Sequence, residues 1–397
     1  MNSTLKAILH AYLVLGFVML SAGLALATDY KTLFKFSGID GQTPDGAVIV
    51  DAAGNLFGTA RSGGSHGGGV VFKLAPNPDG SWTESAIHEF AGPDGASLAA
   101  GLTFDSAGNL YGTTQQGGVY DLGTVFKIIH NSDGSWTHSV LFSFSGSDGG
   151  NVLAGVIFDA AGRLYGTTFA GGRFGRGTVY QLTAQPDGSW AERVLYSFRG
   201  MDGGGSDAGV VFDTQGNLFG TTKYGGTHEM GTVYRLTPQP DGTWRKTKLH
   251  NFKGVDGAYP VGGLILDAAG NLYGTTTSGG ASGMGTVYKL WPQPEGGWKY
   301  TKLHSFNGGD GAYPWIDLIA DARGSLYGTT VAGGAYGSGT VFKLISQPDG
   351  HWGLEQLHVF TNYDAPYTAL MLDAAGNLYG ETQFGGNGYG VVFQIAP

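Results

Sequence analysis

Leu272-Tyr273-Gly274-Thr275-Thr276 is one of seven copies of a single motif. Leu-aromatic-Gly-Thr starts at Leu56, Leu110, Leu164, Leu218, Leu272 and Leu326, in steps of 54 residues, and Leu378-Tyr379-Gly380-Glu381 follows after 52. Phe36, Phe90, Phe144, Phe198, Phe252, Phe306 and Phe360 keep the same 54-residue step. A period of this size means one supersecondary unit stacked on copies of itself.

Around each motif the residue pattern predicts four strands, here called a to d from the inside outward. Strand a is a short apolar run closed by Asp, as in Leu264-Ile265-Leu266-Asp267, and its continuous apolarity predicts burial on both faces. The motif itself is strand b, Gly-Thr-Val-Tyr-Lys-Leu at Gly285 to Leu290 is strand c, and Trp298 to Phe306 is strand d. Asp-x-x-Gly-Asn, Gly-Gly and Pro-Asp-Gly-Ser segments supply the turns between them. Seven four-stranded antiparallel units predict an all-β, seven-bladed β-propeller over residues 28–397. The chain opens with a lone d-type strand at about 32–36 and finishes on a c-type strand at about 390–395. Pairing these two completes the last blade and closes the circle, whereas a linear array would leave two bare edges.

The pattern F-x-G-x-D-G, D-x-x-G-N-L-Y-G-T-T-x-x-G-G and G-T-V-Y-K-L, read from Phe252 to Leu290, resembles the bacterial GloVer tandem-repeat family. The resemblance spans the repeats from end to end. It implies an exported repeat protein and supplies no catalytic residues to carry over.

Residues 1–27 hold one charge, Lys6, an apolar run from Ala7 to Leu26, and small residues at Ala25 and Ala27. The A-x-A ending favours a cleaved signal peptide, with an uncleaved membrane anchor as the alternative since the run is long enough to span a bilayer; an extracellular or periplasmic location is expected, with no membrane attachment once the peptide is removed. The chain has 22 Lys and Arg against 31 Asp and Glu and no run of basic residues, which argues against a nucleic-acid partner. Without cysteine, the exported ring relies on its core alone, and a monomer is expected.

Most repeated residues read as scaffold. Asp51, Asp105, Asp159, Asp213, Asp267, Asp321 and Asp373 end strand a and are expected to hold the next turn. Asp40, Asp94, Asp148, Asp202, Asp256, Asp310 and Asp364 lie in the d-to-a loops and, ringing the channel mouth, could offer oxygen ligands to Ca²⁺; otherwise no cofactor is expected. His88, His250, His304 and His358 share a register with Phe34, Phe142 and Tyr196, and so read as packing residues.

Departures between copies carry the functional expectations, because binding sites on a rigid ring are grafted on its loops. Counted from the loop Asp, Tyr259, Tyr313 and Tyr367 occupy one position, making one side of the mouth aromatic, with Trp315 and Tyr363 nearby. Asp317 stands where the other copies have Gly or Ala, and Glu381 replaces a Thr. The preferred expectation is a propeller that binds carbohydrate or another surface polymer on the face of the d-to-a and b-to-c loops. Tyr259, Tyr313, Trp315 and Tyr367 would stack, while Asp317 and Glu381 accept hydrogen bonds. The alternatives are a polysaccharide hydrolase or lyase with Asp317 and Glu381 as acid and base, and a protein-interaction scaffold of the envelope.

Overall fold

The computed structural model describes residues 29–361 and 364–396. The expected leader at 1–27 and Tyr363 therefore lie outside the described residues. Each repeat forms one antiparallel sheet, and the seven sheets follow one another as blades 1 to 7. Blade 5 shows the pattern, with Ile265–Leu266 as strand a, Leu272–Thr276 as b, Thr286–Pro292 as c and Trp298–Ser305 as d. Strand a pairs over only two residues per blade, fewer than its apolar run suggested. Blade 7 is assembled from both ends of the described chain. Asp29–Lys35 pairs with Val391–Ala396, Tyr30 opposite Ile395 and Thr32 opposite Phe393, so the expected closure holds.

The motif is explained by what faces its glycine. Gly112 pairs with Phe126 of strand c, and a Cβ there would sit 2.5 Å from the Phe126 ring; Gly274 stands in the same relation to Tyr288, at 2.6 Å. Only glycine leaves room for the aromatic to lie flat across strand b. Strand d carries a register shift in every blade, and the residue at the bulge is always aliphatic: Leu33, Ile87, Leu141, Leu195, Leu249, Leu303 and Leu357. The extra residue bends the outer strand and increases local twist.

The core lies between blades. Phe57 and Val71 of blade 1, with Phe90 just past its strand d, meet Leu110, Phe126 and Ile128 of blade 2, and Trp136 packs edge-on at 5.9 Å from Phe57. The same arrangement recurs around the ring, including the closing seam, where Tyr379 and Val392 of blade 7 join Val48, Phe72 and Leu74 of blade 1. Nearer the axis, the strand b threonines stitch each blade to the next. Thr59, Thr113, Thr167, Thr221 and Thr275 donate to the carbonyls of Ala100, Ala154, Ala208, Gly262 and Ile316, and Thr329 to those of Pro366 and Thr368. Blade 7 has Glu381 at this position.

Candidate functional site

Each d-to-a loop bridges to the end of its own strand b, as Ala96 to Gln116 and Ala312 to Ala332, and then turns toward the axis. At that turn stand Asp45, Ala99, Leu153, Asp207, Val261, Trp315 and Tyr367, one per blade, and all seven line a central cavity of about 630 Å³. Arg61, Gln115, Phe169 and Lys223, the residues leaving strand b in blades 1 to 4, line it too.

The backbone corrects one expected alignment. Thr43, Ser97, Asn151, Gly205, Tyr259 and Tyr313 share a left-handed conformation, and in blade 7 that conformation falls on Ala365. The N–H of Gln383 donates to Ala365 O just as that of Thr277 donates to Tyr259 O. Tyr367 is thus the counterpart of Trp315, not of Tyr313, because the two residues missing from blade 7 are lost ahead of Ala365. Trp315 and Tyr367 meet edge to face at 5.9 Å.

One side of the mouth is a polar network. Arg61 Nη1 lies 2.9 Å from Asp45 Oδ2, Nη2 donates to Gln115 Oε1 at 2.6 Å, and Nε donates to Ser97 Oγ at 3.3 Å. Gln383 Nε2 donates to the other Asp45 oxygen at 2.9 Å, linking blades 7, 1 and 2. Burial pushes the Asp45 carboxyl up to about 6, against the opposing pull of Arg61 and Gln383.

The other side is aromatic. Phe169, Tyr224 and Tyr259 follow at centroid distances of 6.3 and 5.9 Å, and the Lys223 ammonium joins them to Trp315, 5.0 Å from the indole centroid and 5.6 Å from that of Tyr224. Lys223 also lies 3.0 Å from Asp207 Oδ2. Burial raises the Asp207 carboxyl while Lys223 opposes it, and Asp207 Oδ1 is enclosed without a hydrogen-bond partner. Among the seven copies, Asp at the turn occurs only where the strand b exit is Arg or Lys. That pairing of positions was the one sequence signal for both ion pairs, and the sequence reading passed over it.

The expected acid and base are in different surroundings. Asp317 lies on the channel wall, reached by solvent but deep within the ring, and accepts a hydrogen bond from the Gly263 N–H at 2.5 Å. Its enclosure raises the carboxyl and that N–H opposes the rise. Glu381 is fully buried in the seam between blades 7 and 1, and both its carboxyl oxygens lack a partner. A Cβ at Gly58 of blade 1 would sit 2.9 Å from Glu381 Oε1, and Glu381 is not among the cavity-lining residues. Burial, followed by the nearby charge of Asp45, holds its carboxyl well above the usual carboxylate range. Tyr259 and Tyr313 are set back from the cavity wall as well; Tyr313 is exposed on the rim and Tyr259 half-buried beside Tyr224.

The loop aspartates do not ring the mouth. In six blades the carboxylate closes its own turn on the N–H three residues earlier, as Ala91 to Asp94 at 2.9 Å and Lys253 to Asp256 at 2.9 Å. In four of these the second oxygen turns outward to strand d, reaching His88, His250 and His304 at 2.8, 3.1 and 2.9 Å and the Tyr196 hydroxyl in blade 3, while Asp40 and Asp148 accept from the hydroxyls of Ser37 and Ser145 in their own turns. The aspartates that end strand a hold the following turn as expected, Asp105 accepting from the N–H groups of Ala107 and Asn109 at 2.9 Å.

The described residues contain one group with ligand atoms close enough for a metal, His88, Asp94 and His138, within 4.8 Å of one another. The two imidazoles stack at 4.0 Å with their planes 4° apart. Ring lone pairs lie in the ring plane, so they run side by side here and do not converge on one ion. His250 with Tyr300 and His358 with Tyr30 stack at the same register, which makes this a blade-to-blade contact.

The family model described as the Gloeobacter/Verrucomicrobia repeat matches residues 22–138, 129–298 and 294–397, and the chain belongs to that family. Among solved structures, the fold is similar to that of an ancestral GH74 enzyme, 9% identical over 87% of this chain and 55% of the other, with a TM-score of 0.52. It is also similar to a gluconolactonase from Xanthomonas campestris, 14% identical over 93% of this chain and 89% of the other, with a TM-score of 0.43. At these identities the likeness is one of fold. No curated protein matches the chain.

Proposed function

We propose that this repeat propeller is exported and binds a carbohydrate at the channel mouth. The observation that carries the reading is the division of one rim into two arcs facing a shared cavity. Trp315 and Tyr367 supply flat apolar faces, and Arg61, Asp45, Gln115 and Gln383 supply donors and acceptors already held in place by one another. A pyranose has the matching duality, with C–H faces that stack on aromatic rings and an equator of hydroxyls that bond to planar polar groups. Of the four aromatics expected to stack, Trp315 and Tyr367 keep that role in this reading, and the acceptor role expected of Glu381 passes to Asp45. In a glycan array or affinity gel, Trp315→Ala with Tyr367→Ala should weaken binding by about tenfold or more. Undiminished binding by that double variant would overturn the reading.

One observation favours turnover as a second reading. Asp45, at about 6, is protonated often enough near neutrality to act as a general acid in the same cavity as Asp207. Product formation lost in Asp45→Asn with binding retained would select it.

A further inference from the structure

We infer that the bound polymer is anionic, and that its carboxylate or sulfate groups are met by Arg173, Arg176 and Arg199 on the outer rim between blades 3 and 4. The inference rests on the saccharide reading of the mouth.

The chain carries a formal net charge of −9 and nine arginines, yet three of these collect on two adjoining loops. All three are exposed, and none takes part in an ion pair among the described residues, whose ion-paired cations are Arg61, Lys127, Arg163, Lys223 and three histidines. Arg173 and Arg199 both lie over the ring of Phe174, at 5.4 and 5.3 Å from its centroid. Phe174 is itself exposed, so the two guanidinium groups are held apart on an apolar platform with their donors facing water. The nearby carboxylates are already engaged. Asp202 closes its turn on the Arg199 N–H and bonds the Tyr196 hydroxyl, and Asp148 takes the N–H and hydroxyl of Ser145. Both keep their negative charge, but neither forms an ion pair with the three arginines, which outnumber them.

The patch continues from the mouth through one piece of backbone. The Gly205 N–H donates to the Arg176 carbonyl at 3.0 Å. A Cβ on Gly205 would meet Phe169 at 2.9 Å and Tyr224 at 3.2 Å, and one on Gly204 would meet the Arg176 side chain at 3.3 Å. The aromatic arc and Arg176 therefore border the consecutive glycines Gly205 and Gly204, and a chain stacked on the arc would leave the cavity past Arg176 toward Arg173 and Arg199. Within the mouth, Arg61 and Lys223 are offset by Asp45 and Asp207, so the rim is where a repeating anion finds uncompensated charge. Continuity with the saccharide arc favours a polysaccharide over an anionic lipid surface.

The test compares polygalacturonate with its fully methyl-esterified form, which keeps the backbone and removes the charge, with dextran sulfate and neutral dextran as a second pair. Wild-type protein should bind an acidic member about tenfold tighter than its neutral partner at 50 mM salt, and the advantage should shrink by 300 mM. The preferred pair tells carboxylate from sulfate. Arg173→Gln with Arg176→Gln and Arg199→Gln should abolish the advantage while leaving the neutral polymer bound as before. Equal affinities, or an acid preference that survives the triple variant, would overturn the anionic inference. In that outcome, neutral binding that still depends on Trp315 and Tyr367 would keep the mouth reading. Loss of binding to every polymer would sink both, and arginine-dependent binding to phosphatidylglycerol vesicles alone would replace the polysaccharide with a membrane.

Discussion

Lys223 and Trp315 come from blades two apart, yet the lysine ammonium stands 5.0 Å from the centre of the indole, with Asp207 3.0 Å away on another side. The mouth is thus drawn together by a cation shared between an aromatic ring and a carboxylate. Lys223→Gln should cost about 2 kcal/mol, less than breaking a fully enclosed pair because channel water reaches the site. The double variant Asp207→Ala with Lys223→Gln copies the Ala99 and Gln115 combination of blade 2 and should recover most of that loss in urea unfolding. A double-variant loss equal to the sum of the separate Lys223→Gln and Asp207→Ala losses would show that the two groups are uncoupled.

Glu381 sets a stability change with pH whose sign follows from its surroundings. Its folded value is raised, so the protonated form is the one the fold favours. That contribution is complete below about 4.5, the ordinary value, and declines as pH rises toward the folded value. Asp45, Glu84 and Glu192, pushed up to about 6, 7 and 7 mainly by burial, act in the same direction. Glu381→Thr restores the hydroxyl found in the other six blades and should gain about 1–3 kcal/mol at pH 8, with the gain fading below pH 5. A pH-independent difference between variant and wild type would refute the assignment.

Asp45 should make saccharide binding pH-dependent. Its carboxylate is the acceptor on the polar arc, and at about 6 it loses that form on mild acidification. Affinity should rise between pH 5 and 7, and Asp45→Asn should flatten the profile. Calorimetric titrations at three pH values decide it.

Circular closure can be tested covalently because the chain has no cysteine. Lys31 and Gln394 are direct partners across the seam. Lys31→Cys with Gln394→Cys should oxidise to an intramolecular disulfide and raise stability by about 4 kcal/mol, since the closed loop spans nearly the whole ring. Only intermolecular dimers on a non-reducing gel would contradict the pairing.

Blade number and closure were legible because the same aromatic, glycine and aspartate chemistry recurs seven times, and a repeated signal survives local ambiguity. The bulge at Ile87 and its equivalents was hidden, since an aliphatic residue in a strand reads the same whether paired or not. Tyr367 was misaligned because Asp364 was equated with Asp310, whereas its carbonyl accepts from the Phe384 N–H as that of Ala312 accepts from Ala332, so the shortening lies ahead of it; counting back from Asp373 avoids the shortened segment. Asp45 and Arg61 were missed because each sits at a position that varies freely in polarity, and only their joint variation with Asp207 and Lys223 reveals the site. Glu381 stood out as an exception, but its enclosure depends on how blade 7 meets blade 1, which no single repeat contains.

The last strand in chain order, Val391–Ala396, is also the one that receives the first. The ring therefore cannot close until those six residues are in place. Gln383 reaches Asp45 across that same closure, so the polar arc is the final part of the mouth to come into being.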